Sequence, residues 1–159
     1  MIILGIDPGS IVCGYAVVET QKRQILAAGS DSIKLDKNLP FYKKLQKIYK
    51  EICSVIEEFN PDHVAIESIF FGKNVRSAIM LGHVRGVILL ATAKYDKELF
   101  EYSPREIKNS VVGNGNATKE QVKFMVKKIL DMKVDPKTYD AADALAAALC
   151  HFNKYKWNL

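Results

Sequence analysis

Two short apolar runs, each closed by a single acid, set the strongest limit on how this chain folds. Ile2-Ile3-Leu4-Gly5-Ile6 ends in Asp7 and the turn Pro8-Gly9-Ser10, and Val64-Ala65-Ile66 ends in Glu67. Short unbroken apolar runs read as strands buried on both faces, so helices must cover the sheet on either side. The two acids then stand at the carboxyl ends of strands, where sites form in open α/β sheets. Asp140 and Asp143 lie three apart in the alanine-rich stretch from Tyr139 to Leu149, so a helix there turns both to one face.

The rest of the chain frames a mixed sheet. Gly14–Glu19 and Gln24–Ser32 read as two further strands joined by the polar turn Thr20-Gln-Lys-Arg23. A helix opens at Asn38-Leu-Pro40, carries Phe41, Leu45, Ile48, Ile52, Val55, Ile56 and Phe59 at spacings of three and four, and stops at Asn60-Pro61. His63–Glu67 is a fourth strand and Leu99–Tyr102 a fifth. Between them come a loop from Phe70 to Val75 and a helix from Asn74 to about Lys94. That helix is apolar nearly all round, so a core or a second subunit must cover it. Pro104–Val112 reads as a short helix and Gly113–Asn116 as a loop. Thr118-x-x-Gln121 reads as a capping box opening a helix that carries Val122, Val126, Ile129 and Leu130. A last helix runs from Tyr139 to about Asn153. A three-strand meander followed by alternating helices and strands predicts an α/β fold: a five-stranded mixed sheet with helices on both faces, in one domain over 1–159.

Burying acids at positions 7, 67, 140 and 143 without counter-charge is very costly. Two Mg²⁺ ions would balance the formal charges, and magnesium takes carboxylate, water and phosphate oxygens. Two such ions about 3.5–4 Å apart activate a water and stabilise the leaving oxygen of a phosphodiester. Singly, each acid has a plainer role: Asp7 can cap a turn, and Asp140 the last helix. Together, with Asp143 inside an alanine and leucine surface, Asp7, Glu67, Asp140 and Asp143 point to a catalytic divalent-metal site. No competing chemistry stands out. His63, His83 and His151 lack ligand spacing, and there is neither a G-x-S-x-G nor a G-x-x-x-x-G-K motif.

Formal net charge is +5, and its distribution is uneven. Lys34 to Lys50 holds six lysines against Asp36 alone, and Ser103 to Lys133 holds seven basic residues against Glu106, Glu120 and Asp131. Such runs are either solvated helix faces or a surface for a polyanion. Cys13, Cys53 and Cys150 form no C-x-x-C pair and are expected to be reduced, buried thiols of a cytoplasmic protein. Met1 leads directly into an apolar run, so no secretory leader is expected. The longest apolar stretch, Ala78 to Ala93, is broken by His83 and Arg85 and reads as too short for a bilayer, so no membrane partner is expected.

Six segments are then taken together. They are Leu4-Gly-Ile-Asp-Pro-Gly-Ser10 with Gly14-Tyr15, Ala65-Ile-Glu67 with Phe70 and Lys73-Asn74, Leu81-Gly82 with Arg85-Gly86, Phe100-Glu-Tyr102, Val111-Val-Gly113, and Asp140-Ala-Ala-Asp-Ala-Leu145. In that order, over essentially the whole chain, they resemble the RuvC family of Holliday junction endonucleases. The resemblance implies an RNase H-like fold and an endonuclease of DNA recombination and repair that resolves four-way junctions by paired symmetric nicks. It implies metal binding by Asp7, Glu67, Asp140 and Asp143, with Mn²⁺ as an alternative to Mg²⁺. It implies a homodimer working beside the branch-migration proteins RuvA and RuvB. It places a junction-contacting phenylalanine at Phe70 and functional basic positions at Lys108 and Lys119. Some family members carry histidine where this chain has Asp140.

The residues make sense in that role. Phe70 or Phe71, next to the acids, would stack on an unpaired base, or else belong to the core. Lys73, Asn74, Arg76, Lys108 and Lys119 are candidates for holding DNA. Gly82 and Gly86, four apart on the apolar helix, would admit the backbone of a second subunit. An actin-like or sugar-kinase-like ATPase shares the opening strand and turn but needs two related domains. A YqgF-like nuclease lacks the Asp-Ala-Ala-Asp context. An inert junction-binding protein would have no use for four acids.

Overall fold

The computed structural model describes residues 1–21, 24–69, 74–133 and 135–156. Strand β1 (Ile2–Asp7) runs through the middle of the sheet, and its alternate side chains feed two cores: Ile3 on one face, Leu4 and Ile6 on the other, all at 0% exposure. The sheet has five strands in the order β3-β2-β1-β4-β5. β2 (Val12–Gln21) is antiparallel to β1, and β3 (Gln24–Lys34) antiparallel to β2. β4 (His63–Glu67) is parallel to β1, and β5 (Glu98–Tyr102) parallel to β4. Helices α1 (Phe41–Phe59) and α2 (Val75–Lys94) cover one face. Helices α3 (Pro104–Val112), α4 (Lys119–Ile129) and α5 (Tyr139–Lys156) cover the other. The mixed sheet with helices on both faces is therefore present.

The local signals explain the element ends. The α1 stripe buries Ile48, Ile52, Val55 and Ile56, and the helix ends at Asn60 in the left-handed region, φ 44°, with its N–H donating to the Ile56 carbonyl. Capping boxes open α3 (Ser103 with Glu106) and α4 (Thr118 with Gln121). The α3 box and the last three residues of α5 exceed what the sequence pattern indicates.

Helix α5 lies against β1 and β2 at backbone distance. A Cβ on Gly5 would come within 2.1 Å of the Ala144 carbonyl oxygen, and one on Gly14 within 2.1 Å of the Asp140 carbonyl oxygen. Ala141, Ala142, Ala144, Ala146, Ala147 and Ala148 are all buried, and it is Ala144 and Ala148 that lie over Gly5. The histidines are structural here too. His63 Nδ1 is 2.9 Å from His151 Nε2, and His151 Nδ1 is 2.8 Å from the Tyr102 hydroxyl, linking β4, α5 and β5. The three cysteines are free and buried.

Helix α2 leaves apolar side chains uncovered. Val84, Ile88, Ala91 and Thr92 are buried, while Val75, Ile79 and Leu90 are 70%, 55% and 61% exposed. At 20 residues it is long and apolar enough to cross a membrane by length and composition, which corrects the shorter span expected of Ala78–Ala93. The helix itself runs from Val75 to Lys94, one residue inside the Asn74 start that its sequence pattern indicates. Its buried side packs on α1, and Arg85 forms an ion pair with Glu101 of β5. A shallow apolar groove of about 400 Å³ follows its outer side, lined by Leu45, Ile79, Gly82, Gly86, Val87 and Leu90 among others. A Cβ at Gly82 or Gly86 would meet no heavy atom within 4 Å.

Candidate active site

The acids converge because of strand pairing and two glycines. β1 and β4 are parallel neighbours with Ile6 opposite Ile66, so Asp7 and Glu67 leave the sheet side by side at its carboxyl edge. Asp7 is also paired with Gly14 of β2, the glycine that lies under the Asp140 carbonyl. The first turn of α5 is thereby set over Asp7, and Asp143 follows within a turn. Thr138, not Asp140, caps this helix: its hydroxyl accepts from the Ala141 N–H at 3.1 Å. Asp7, Glu67 and Asp143 line a cleft of about 150 Å³ with Lys108 of α3 and Lys119 of α4. Asp7 and Glu67 also border a second hollow of about 120 Å³ with Pro8, Ser68, Ile69 and Leu81.

The electrostatics are those of acids short of positive charge. Burial, followed by the charges of Glu67, Asp143 and Asp140, pushes Asp7 from 3.8 up to about 8. Burial and then Asp143 push Glu67 from 4.5 up to about 7. Burial also raises Asp143, against the opposing pull of Lys119. The Lys119 ammonium is 3.1 Å from Asp143 Oδ2. Burial works against that ammonium, yet Asp143, helped by Asp7 and Asp140, raises its pKa overall. Hard oxygen donors, buried together and held off by mutual repulsion, suit a divalent cation, and Lys119 supplies a single positive charge in the same place. Among the described residues, no three histidine, cysteine or acidic side chains are already drawn in close enough to hold a metal ion. Like charges with one ammonium between them are expected to stay apart in this way.

The DNA-facing candidates separate. Lys108 and Lys119 are in the cleft wall. Asn74 is the N-cap of α2, its side-chain oxygen accepting from the Ser77 N–H at 3.1 Å, and Arg76 is exposed two residues on. Phe70, Phe71 and Lys73 lie outside the described residues. Gly5, Gly14 and Thr138 were not singled out from the sequence as parts of the site. An isolated glycine inside a strand is a recognised sign of close backbone approach, and both strands carry one.

Comparison with known proteins settles the kinship. The family model "Crossover junction endodeoxyribonuclease RuvC" matches residues 3–151. The chain belongs to the RuvC family. The RuvC protein of Thermosipho melanesiensis is 47% identical over 150 residues, covering 94% of this chain and 96% of that one. That of Alkaliphilus oremlandii is 44% identical over 151 residues, covering 95% and 92%. The structure of T. thermophilus RuvC in complex with Holliday junction substrate superposes with a TM-score of 0.93 at 30% identity, covering 99% of this chain and 96% of that one. The yeast mitochondrial Holliday junction resolvase Ydc2, at 14% identity and a TM-score of 0.67, shares the fold. The RNase H-like resolvase architecture implied by the sequence motifs is the one observed.

Proposed function

We propose that this chain is the crossover junction endonuclease its family membership indicates, cutting four-way DNA by paired, symmetric nicks in recombination and repair. The observation that carries the reading is the convergence of Asp7, Glu67 and Asp143 in one cleft, with two of them held near neutral pH by burial and mutual charge. Asp7, Glu67, Asp140 and Asp143 are assigned as the ligands of two Mg²⁺ ions per subunit, with Mn²⁺ as an alternative. Such ions supply an activated water and stabilisation of the leaving oxygen when bound. Lys119 and Lys108 serve the phosphate: an ammonium freed from Asp143 is within one side chain's reach of the same cleft. Phe70 or Phe71 is assigned to an unpaired base, and Lys73, Asn74 and Arg76 to the DNA backbone beside it.

The assembly follows from the substrate. A four-way junction needs two nicks related by two-fold symmetry, and each chain carries one acidic site, so we assign a homodimer. The outer side of α2 is the surface for it: an apolar groove, three exposed aliphatic side chains, and two glycines with open space above them. We read residues 1–159 as one nuclease domain acting in the cytoplasm with RuvA and RuvB, and without a membrane. Cleavage of a four-way DNA junction in Mg²⁺ tests the assignment. Asp7→Asn, Glu67→Gln and Asp143→Asn should each abolish nicking while keeping junction binding. Asp140→Asn should be the mildest. Near-normal nicking by any two of the first three would refute the site.

A further inference from the structure

Beyond the cleft, α4 carries a row of ammonium groups. Lys119, Lys123 and Lys127 are four apart and share a face, each step climbing about 6 Å. They meet the start of α5 and the segment before it in reverse order. Lys119 Nζ is 3.1 Å from Asp143 Oδ2, Lys123 Nζ is 5.1 Å from the ring centroid of Tyr139, and Lys127 Nζ is 2.7 Å from Asp135 Oδ1. Beside this row is an open groove of about 630 Å³, against about 150 Å³ for the catalytic cleft. Lys123, Phe124, Lys127, Lys128 and Tyr139 line it. Phe124 is 64% exposed and Tyr139 43%, so neither ring is placed there by the core.

We propose that this groove takes the DNA strand leaving the catalytic cleft, with Lys123 on a phosphate and Phe124 and Tyr139 against unpaired bases. The inference rests on the nuclease reading above and extends its footprint. Continuity supports it: Lys119 marks the catalytic end of the row, and Tyr139 directly precedes Asp140. The chemistry supports it as well. Ammonium groups interleaved with exposed rings are how proteins hold single strands, since every base has a face to stack and every nucleotide a phosphate. Glu120, Asp131 and Asp135 also line the groove, and Asp135 already holds Lys127. Lys123 sits on a ring and not on a carboxylate, so its ammonium is available to a phosphate.

The test uses the full chain carrying Asp7→Asn, so that junctions are bound but not cut. A fluorescent four-way junction is titrated at several salt concentrations with this parent, and with Lys123→Ala, Phe124→Ala, Phe124→Leu or Lys97→Ala added. Lys97 is the matched control: it precedes β5 at the opposite edge of the sheet and bonds Asn60 at 2.7 Å. Lys123→Ala should weaken binding and lower the slope of log affinity against log salt by about one. Phe124→Ala should weaken binding about five- to tenfold with the slope unchanged, and Phe124→Leu, which keeps apolar bulk without a stacking face, should lose as much. Lys97→Ala should match the parent. Groove variants that bind as Lys97→Ala does would overturn the groove. A parent that binds no junction would instead overturn the nuclease reading beneath it.

Discussion

Asp7→Asn is expected to stabilise the metal-free protein while destroying its chemistry. The folded state lifts the Asp7 carboxyl from 3.8 to about 8, so it favours the protonated form. The sign follows from linkage. The penalty is absent below the unfolded value of 3.8, grows as pH rises, and saturates above the folded value of about 8. At pH 7.5 nearly the whole interval counts, a ceiling of about 5 kcal/mol at 1.36 kcal/mol per unit. Two effects lower it. Glu67, itself raised to about 7, is partly protonated near this pH and then repels Asp7 less, and the asparagine amide must be buried in place of the carboxyl. A net gain of about 1–3 kcal/mol remains, or roughly 3–10 °C in Tm for a chain of this size. Asparagine matches aspartate in shape, so packing barely changes. Thermal melts in EDTA at pH 7.5 and pH 5 measure it, and the gain should be clearly smaller at pH 5. Mg²⁺ should then raise the Tm of wild type more than that of the variant, because binding to the folded state adds stability. An Asp7→Asn protein that melts at or below wild type at pH 7.5 in EDTA would refute the account of a charge-strained site.

Three further perturbations probe the frame around it. Burial, and then the charge of His63, lowers His151 to about 4, so its contribution to stability is complete above about 6.5 and drains away as pH falls from there toward 4; about 2–3 kcal/mol should go in that window, and His151→Gln should flatten it in a series of melts. Gly14→Ala would drive a Cβ to 2.1 Å from the Asp140 carbonyl oxygen, so α5 must back away; a loss of about 2–3 kcal/mol is expected, with nicking lost even where the variant remains folded by circular dichroism. Ile79→Glu, on the exposed side of α2, should leave the monomer folded but halve the mass seen by light scattering, and a mixed dimer of wild-type and Asp7→Asn chains should nick one strand of a junction and spare the other.

The acids were legible from sequence because each breaks a pattern. An apolar strand does not end in Asp7 or Glu67 for the sake of packing, and Asp143 interrupts an otherwise alanine and leucine surface. Strand and helix positions were legible for the same reason: periodicity changes from one element to the next, and Pro40, Asn60-Pro61 and Thr118 mark the boundaries. What could not be read was distance. Nothing in the pattern says that Lys119 reaches Asp143 across two helices, a contact between residues 24 apart in the chain, or that Lys123 comes to rest on Tyr139. Long flexible side chains choose partners only after the backbone is in place. The apolar pattern places helix α2 within one residue of its observed start, and only its apolar stretch reads as too short for a bilayer, because His83 and Arg85 look like interruptions. In the fold the first hydrogen-bonds the Ile79 carbonyl one turn back and the second reaches Glu101, so neither breaks the helix.

The glycines show how much of the site is held by what is missing. Carboxylates that repel one another would spread if the elements carrying them could move. Two contacts prevent this: Gly5 under Ala144 and Gly14 under Asp140, each too close for any side chain. The alanines of α5 complete the fit, since larger residues would lift the helix off β1 and β2 and carry Asp140 and Asp143 away from Asp7. The packing of small residues, worth little apolar area each, is therefore what meets the electrostatic cost of the site. That division of labour has a consequence for substitution. Enlarging a small residue beneath α5 should lower both stability and activity, whereas neutralising an acid above it should lower activity and raise stability. The two classes are opposite in sign on the same melting curve, which no purely packing or purely electrostatic account of the site would produce.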